Sequence, residues 1–405
     1  MNLASVFCAP RLWSSGAATH RRVTWLELFF DLIFVAAVAE VGGPLARDYS
    51  PAGLIRYSFL FVLIWWAWSG HTLYCTRFEH DDVAQRCLIL VQCFIAAVMA
   101  ANANEALDSR SSAGFGAAYG AMRIVLAVQY LRARQVVETR SLATRYAAGF
   151  GAAALVWLGS SLLDAPERYW VWGLALAIDF ATPWLSARHS IRFPPDAAHF
   201  PERFGLFTII LMGEFVAAVM KGIESQEGWS FAAAATAFSG MAFAFVLRWW
   251  YFDIAEGANE RHIRGRRQAR WFEAWHYAHL PLFLGIAVTG VGFHRAIAQE
   301  EGAAILCAAY GVLSAALVVI GAARSRSWKR LWVGWGLALA SMSLCYGAAE
   351  LGRVLMSLVL VGSCLGQAWM ARRVRPRAGA AKRVPLYLSE SSKSETGLTS
   401  VSAGA

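Results

Sequence analysis

Residues 24–43 read TWLELFFDLIFVAAVAEVGG. The stretch is apolar and long enough to cross a bilayer, which takes about 20 residues as a helix. It nevertheless holds three carboxylates, Glu27, Asp31 and Glu40. A carboxylate at mid-membrane costs roughly 2.5–3.5 kcal/mol even on the lenient insertion scale. Ionisable residues inside spans are rare for that reason, and they mark functional sites by default. The same residues therefore predict a membrane helix and point to where its chemistry would lie.

The rest of the chain agrees with a membrane setting. It has 405 residues, 58% of them hydrophobic and only 16% charged, with a mean hydropathy of +0.44. A soluble domain is not built this way, and a polytopic membrane protein is. The 18 Trp and 24 Phe suit rings that line membrane interfaces. The opening MNLASVFCAPRLWSSGAATHRR lacks a continuous apolar run, so it reads as a short cytosolic arm and not as a cleaved signal. The 7 cysteines form no CxxC pair and are scattered through apolar segments, which argues against a disulfide framework. The net charge of +10 is carried by basic residues between apolar stretches. Membrane orientation explains them better than a nucleic-acid partner does.

The composition and patterning predict an all-α polytopic membrane helix bundle of about 12 transmembrane helices. Apolar stretches lie at 24–43, 52–74, 87–107, 113–131, 143–163, 169–187, 204–223, 229–252, 276–297, 302–322, 328–346 and 351–370. The fourth, fifth and tenth are Ala/Gly-rich and less distinct than the first. Basic residues gather on alternate connections: Arg21 and Arg22; Arg77 and Arg86; Arg132, Arg134, Arg140 and Arg145; Arg188, Arg192 and Arg203; Arg261 to Arg270; Arg324, Arg326, Lys329 and Arg330; and Arg372 onward. By the positive-inside rule both termini are cytoplasmic. The expected organisation is an arm at 1–23, a six-helix membrane half at 24–187, a cytoplasmic linker at 188–203, a second half at 204–370 and a tail at 371–405. The tail is first basic and then Ser-rich, too polar to fold. Its basic run either lies on anionic lipid at the cytoplasmic face or is a plain stop-transfer flank.

Three words recur in order between the halves. FVAAV stands at 34–38 and 215–219, a WW pair begins at Trp65 and at Trp249, and AAYG stands at 117–120 and 308–311. Their offsets are 181, 184 and 191. Six helices per half is even, so the halves would share one orientation, related by an axis near the membrane normal.

Glu27 and Asp31 are four apart and share a helix face. That face must turn away from lipid, toward an ion or proton path or toward a buried ion pair. Arg123 and Arg248 are the candidate partners for such a pair. Asp179, four residues before Pro183, and Glu214, beside Gly213, are further carboxylates within spans. The Arg77, Glu79, His80, Asp81, Asp82 cluster after the second stretch is either a solvated loop or a dock for the carboxylate end of the first. Glu273 and His276 form one Glu-x-x-His, with His279 a turn later. Di-metal bundles use two such motifs and more carboxylates, so no metal is expected here. His279 reads better as a buried hydrogen-bonding residue ahead of Pro281. There is no P-loop, Rossmann fingerprint, HExxH or GxSxG, so neither a cofactor nor ordinary soluble-enzyme chemistry is predicted.

The sequence resembles the bacterial low-temperature-requirement A (LtrA) membrane family. The matching words are WLELFFDLIFVAAVAEV at 25–41, WWAWSGHTLYCTRFEHDD at 65–82, AAYGAMRIVLAVQYL at 117–131, HFPERFGLFTIILMGEFVAAV at 199–219, RWWYFDIA at 248–255 and HLPLFLGIAVTGVG at 279–292. On this resemblance Glu27, Phe30, Asp31, Arg77, Asp81, Asp82, Arg123, Glu202, Arg203, Glu214 and His279 fall on motif positions. Glu27, Asp31, Arg123, Asp179, Glu202, Arg203, Glu214 and His279 are the candidates for an ion or substrate path or for buried ion pairs. Thr76 and Phe215 depart from the family's usual residues. The resemblance implies a bacterial inner-membrane protein tied to growth in the cold, and supplies no transported species or reaction.

The preferred reading is a secondary transporter or ion-translocating protein. Glu27, Asp31 and Glu214 would line its path and Arg123 would balance charge. An ion channel of two six-helix repeats is the alternative, since the aromatic-aromatic-Asp word of the first stretch resembles that of lysosomal two-repeat potassium channels. A third is a membrane-embedded enzyme or lipid-handling scaffold. Partners would be the lipid bilayer and a small solute or ion, with a homo-oligomer allowed.

Overall fold

The computed structural model describes residues 10–12, 23–79, 82–107, 111–226, 228, 230–255 and 266–373. Asp81, most of the arm and most of the tail lie outside the described residues.

Local signals set the helix boundaries. Thr24 and Glu27 form a reciprocal capping box at the start of α1 (Trp25–Arg47). Ser50 caps α2 (Pro51–Cys75), which has proline in its first turn, where the missing N–H goes unmissed. Asp82 caps α3 (Val83–Ala103). α4 (Ser112–Ala133), α5 (Arg140–Ser160) and α6 (Glu167–Leu185) complete the first half, and the short α7 (Ala187–Arg192) follows. The second half is α8 (His199–Glu224), α9 (Phe231–Ala255), α10 (Arg266–Ile297), α11 (Ala303–Ser325), α12 (Trp328–Ala349) and α13 (Arg353–Arg373). The segment expected as a linker therefore holds α7 and the first turn of α8, so Glu202 and Arg203 are helical.

Among the described residues nine helices are long and apolar enough to cross a membrane, and the protein is a multi-pass, all-α membrane protein. α4, α5 and α6 are long but less apolar, as expected for α4 and α5 from their Ala and Gly. The tenth stretch departs from expectation. As α11 it has the highest mean hydropathy of the nine, 2.4, because Ile, Leu and Val outweigh its alanines. Many large side chains are exposed on the outer faces, among them Trp170, Phe231, Phe238 and Phe245. In water they would be liabilities, whereas in a bilayer they meet lipid.

In the first half α1 packs on α2 and α3, α3 on α4, α4 on α5, α5 on α6, and α2 on α4. In the second, α8 packs on α9 and α10, α10 on α9 and α11, α11 on α12, α12 on α13, and α9 on α11 and, more extensively than α2 on α6, on α13. The halves meet chiefly through α1 against α8 and α10. One small departure from an all-helical chain is an antiparallel pair, β1 (Arg11–Leu12) with β2 (Phe78–Glu79). Two-residue strands are too short to leave an alternating pattern in sequence.

Close approach between α5 and α6 depends on Gly149, where an added Cβ would lie 2.2 Å from the Thr182 hydroxyl oxygen. Gly149→Ala should therefore destabilise by about 1–3 kcal/mol through overpacking, read as a lowered unfolding temperature in detergent.

Candidate functional site

Glu27 and Asp31 sit in the first two turns of α1, on the face turned inward by the apolar positions Phe30, Phe34 and Val38. They meet His199 and Arg203, which begin α8 and also lie one turn apart. All four side chains are buried.

Asp31 accepts three hydrogen bonds from two residues. Arg203 donates Nε to Asp31 Oδ2 at 3.0 Å and Nη2 to Oδ1 at 2.5 Å. The Trp68 indole of α2 donates to Oδ1 at 2.7 Å. The fork of two parallel bonds is the strong form of arginine–carboxylate pairing. Glu27 divides its oxygens between two tasks. Oε2 accepts from the Thr24 backbone N–H at 2.9 Å and hydroxyl at 3.1 Å, closing the helix cap. Oε1 lies 3.1 Å from His199 Nε2 and 3.3 Å from Arg203 Nη1. His199 Nδ1 lies 3.9 Å from a Glu202 oxygen. Glu202 is 44% exposed and His199 is fully buried, so this line of groups runs from the surface to the ion pair.

Isolated, each charge would be expensive in a low-dielectric interior. Paired and hydrogen-bonded, the group holds together, and loss of one member leaves an uncompensated charge. The partner differs from both expected arginines. Arg123 is engaged elsewhere, and the Arg248 guanidinium stacks 5.7 Å from the Phe252 ring. His199 was not anticipated as a site residue. Its signal is the H-x-x-E-R spacing at 199–203, which brings His199, Glu202 and Arg203 to one side of a helix.

A second buried pair lies within the first half. Arg123 of α4 donates Nε to Asp179 Oδ2 of α6 at 2.8 Å, and its Nη2 donates to the Tyr119 hydroxyl. Both members of the pair are fully buried. Gly70 of α2 makes room for it, since a Cβ there would lie 3.3 Å from Arg123 Nη1. A neutral polar bridge joins α11 to α13. Ser363 and Gln367 of α13 donate to the Tyr310 hydroxyl of α11 at 2.8 and 3.1 Å.

The remaining candidates separate. Arg77 does not dock on α1. It donates to the Phe193 carbonyl at 3.2 Å and the Ser190 hydroxyl at 3.3 Å, anchoring the segment around α7. Asp82 caps α3 through the Gln85 N–H at 2.8 Å and pairs with Arg132 at 2.5 Å. The reason is local: Asp82 immediately precedes a helix whose first N–H groups need an acceptor. His279 lies in α10, with Nδ1 2.7 Å from the Trp275 carbonyl and Nε2 3.1 Å from the Tyr251 hydroxyl. His276 instead meets the Ser69 hydroxyl at 2.8 Å, so the two imidazoles take separate partners. Glu214 is half-buried on α8, within electrostatic range of the Tyr57 phenol and apart from the α1–α8 network. Glu40 is exposed.

Residues 22–366 match the family model described as bacterial low temperature requirement A protein (LtrA). The chain is also similar to an uncharacterised protein of Rhizobium meliloti, at 28% identity over 292 residues, 67% of this chain and 68% of that protein. The matched span covers both buried ion pairs.

Proposed function

This chain belongs to the bacterial low-temperature-requirement A (LtrA) family, and from that premise we propose that it is a proton-coupled secondary carrier. In this reading 12 helices cross the inner membrane as two parallel six-helix repeats, with both termini cytoplasmic. The repeat is supported by the neighbour pairs the two sets share: first helix on second and third, third on fourth, fourth on fifth, fifth on sixth, and second on fourth. The sets differ in that α9 packs far more extensively on α13 than α2 does on α6. Tyr119 and Tyr310 add support, standing in similar polar bridges between the fourth and sixth helices. The orientation is supported by the basic residues gathered on alternate connections.

The observation that carries the proposal is the line from Glu202 through His199 to Glu27 and Arg203. It begins at an exposed carboxylate and ends in the ion pair that joins the halves. Once Glu202 closes from 3.9 Å to hydrogen-bond distance, a proton taken up at His199 Nδ1 is matched by one given from Nε2 to Glu27 Oε1. Neutral Glu27 holds Arg203 less strongly, and α1 is then freer to part from α8. Parallel repeats rocking about a shared interface are a known route to alternating access. Glu214 contributes a further carboxylate on the same helix as the latch.

The test is flux. Protein verified as folded is placed in proteoliposomes with a trapped pH dye, and a broad panel of small solutes is offered under an acid-outside and an acid-inside gradient. Solute-dependent proton movement is expected. Its absence across the panel would overturn the carrier reading.

A second reading, a scaffold without transport, is favoured by one observation: Asp31 and Asp179 are both closed off by arginines. It predicts folded, stable protein with no flux of any kind.

A further inference from the structure

A cavity of about 240 Å3 lies between the turn joining α10 to α11 and the turn joining α12 to α13. Its apolar wall includes Leu306, Ala349 and Met356, and Arg295, Glu301 and Arg353 stand around it.

The matching place in the first half is filled. There Arg168, buried near the start of α6, donates to the Ser112 hydroxyl, to the Ser160 carbonyl at 3.2 Å and to the Leu163 carbonyl. Ser112 opens α4 five residues before its AAYG word, and Ala303 opens α11 five residues before its own. Arg168 stands 11 residues before Asp179, as Met356 stands 11 before Gln367. The arginine and serine that close the first gap are thus methionine and alanine in the second. A shorter, uncharged side chain leaves the space open.

The charges around the opening are unevenly paired. Arg295 is bound to Glu300 at 2.6 Å and to the Ala46 carbonyl at 2.9 Å. Arg353 makes one hydrogen bond among the described residues, at 3.3 Å to the neutral amide oxygen of Gln299. The Glu301 carboxylate has no hydrogen bond or ion pair among them. Two helices, α11 and α13, also begin here, each just after a left-handed glycine, Gly302 at φ +137° and Gly352 at φ +127°. The first-turn N–H groups of α13 add positive potential beside Arg353, while those of α11 lie next to Glu301. Gly302 is further constrained, since a Cβ there would lie 2.5 Å from the Tyr49 ring.

A guanidinium and a carboxylate that have no ion-pair partner among the described residues, beside one small apolar-walled cavity, match a ligand carrying both charges. We infer that this cavity binds a small zwitterion of the α-amino acid class, with its carboxylate toward Arg353 and its ammonium toward Glu301. The volume is below that of pockets for drug-sized ligands, which run about 300–1,000 Å3, and suits so small a solute. This site is separate from the α1–α8 latch. It is tested by binding in micelles, so it stands or falls apart from the carrier reading.

The experiment is isothermal titration of the purified full chain in detergent with glycine, L-alanine, L-glutamine and L-leucine, and with propionate and propylamine as single-charge controls. At least one amino acid should bind, more tightly than either control. Arg353→Gln should weaken that binding by about tenfold or more, and Glu301→Gln should bring the amino acid down to the level of propionate. Met356→Arg, which restores the plug of the first half, should abolish binding while thermal unfolding shows the protein still folded. Absence of amino-acid binding by folded protein would overturn the proposal. So would propionate binding as tightly as the amino acids, or binding unchanged in both Arg353→Gln and Met356→Arg.

Discussion

Arg203→Met is expected to destabilise the purified protein by about 3–5 kcal/mol, the usual cost of breaking a buried ion pair by removing one partner. The change strands Asp31 with only the Trp68 indole and leaves Glu27 with His199 and its own helix cap. Pairing it with Asp31→Asn should recover much of the loss, because the uncompensated charge is then gone. Arg203→Lys should fall between, since an ammonium keeps the charge but cannot make the forked contact from Nε and Nη2. Thermal unfolding in detergent, with fluorescence detection, orders the three. Equal stability of Arg203→Met and the native protein would show that the contact is not held in the folded bundle.

Arg123→Met should carry a loss of similar size, again about 3–5 kcal/mol, because Asp179 is fully buried and Arg123 supplies its charge partner. The second half indicates what relieves it. There the tyrosine of the AAYG word is bridged by Ser363 and Gln367, so a neutral bridge is compatible with this packing. Arg123→Met combined with Asp179→Asn should therefore be more stable than Arg123→Met alone, by about 1–3 kcal/mol, the penalty for an unsatisfied buried group. If the double variant is no more stable than the single one, the charge on Asp179 is not what makes the single variant unstable.

These expectations differ in how far they could be read from sequence. The helices were legible because about 20 apolar residues in a row have few other uses. The carboxylates of the opening stretch were legible as inward-facing, since Glu27 and Asp31 fall on one face and lipid excludes them. Their partner was legible only through the family resemblance, which puts Arg203 among the candidate site residues. Arg123 and Arg248 stood out because they lie inside apolar stretches, whereas Arg203 looked like a loop residue ahead of the seventh stretch. In the structure α8 begins at His199, so the basic residue thought to flank the membrane is turned inward by the helix. The T-x-x-E of Thr24 and Glu27 is a capping signal that explains half of Glu27's bonds, but pairing across 172 residues leaves no local trace. Asp82 illustrates the opposite case. Its acidic loop suggested a dock for α1, yet a residue just before a helix is first a cap.

In the proposed carrier Glu27 passes a proton between buried His199, next to the exposed Glu202, and the joint between α1 and α8. The direct measurement is proton flux through Glu27→Gln in proteoliposomes, compared with the native protein under the same gradient and with the same solute. A folded variant is expected whose solute-coupled proton flux falls by about tenfold or more, equivalent to at least about 1.4 kcal/mol on the barrier. Undiminished flux through folded Glu27→Gln would contradict it.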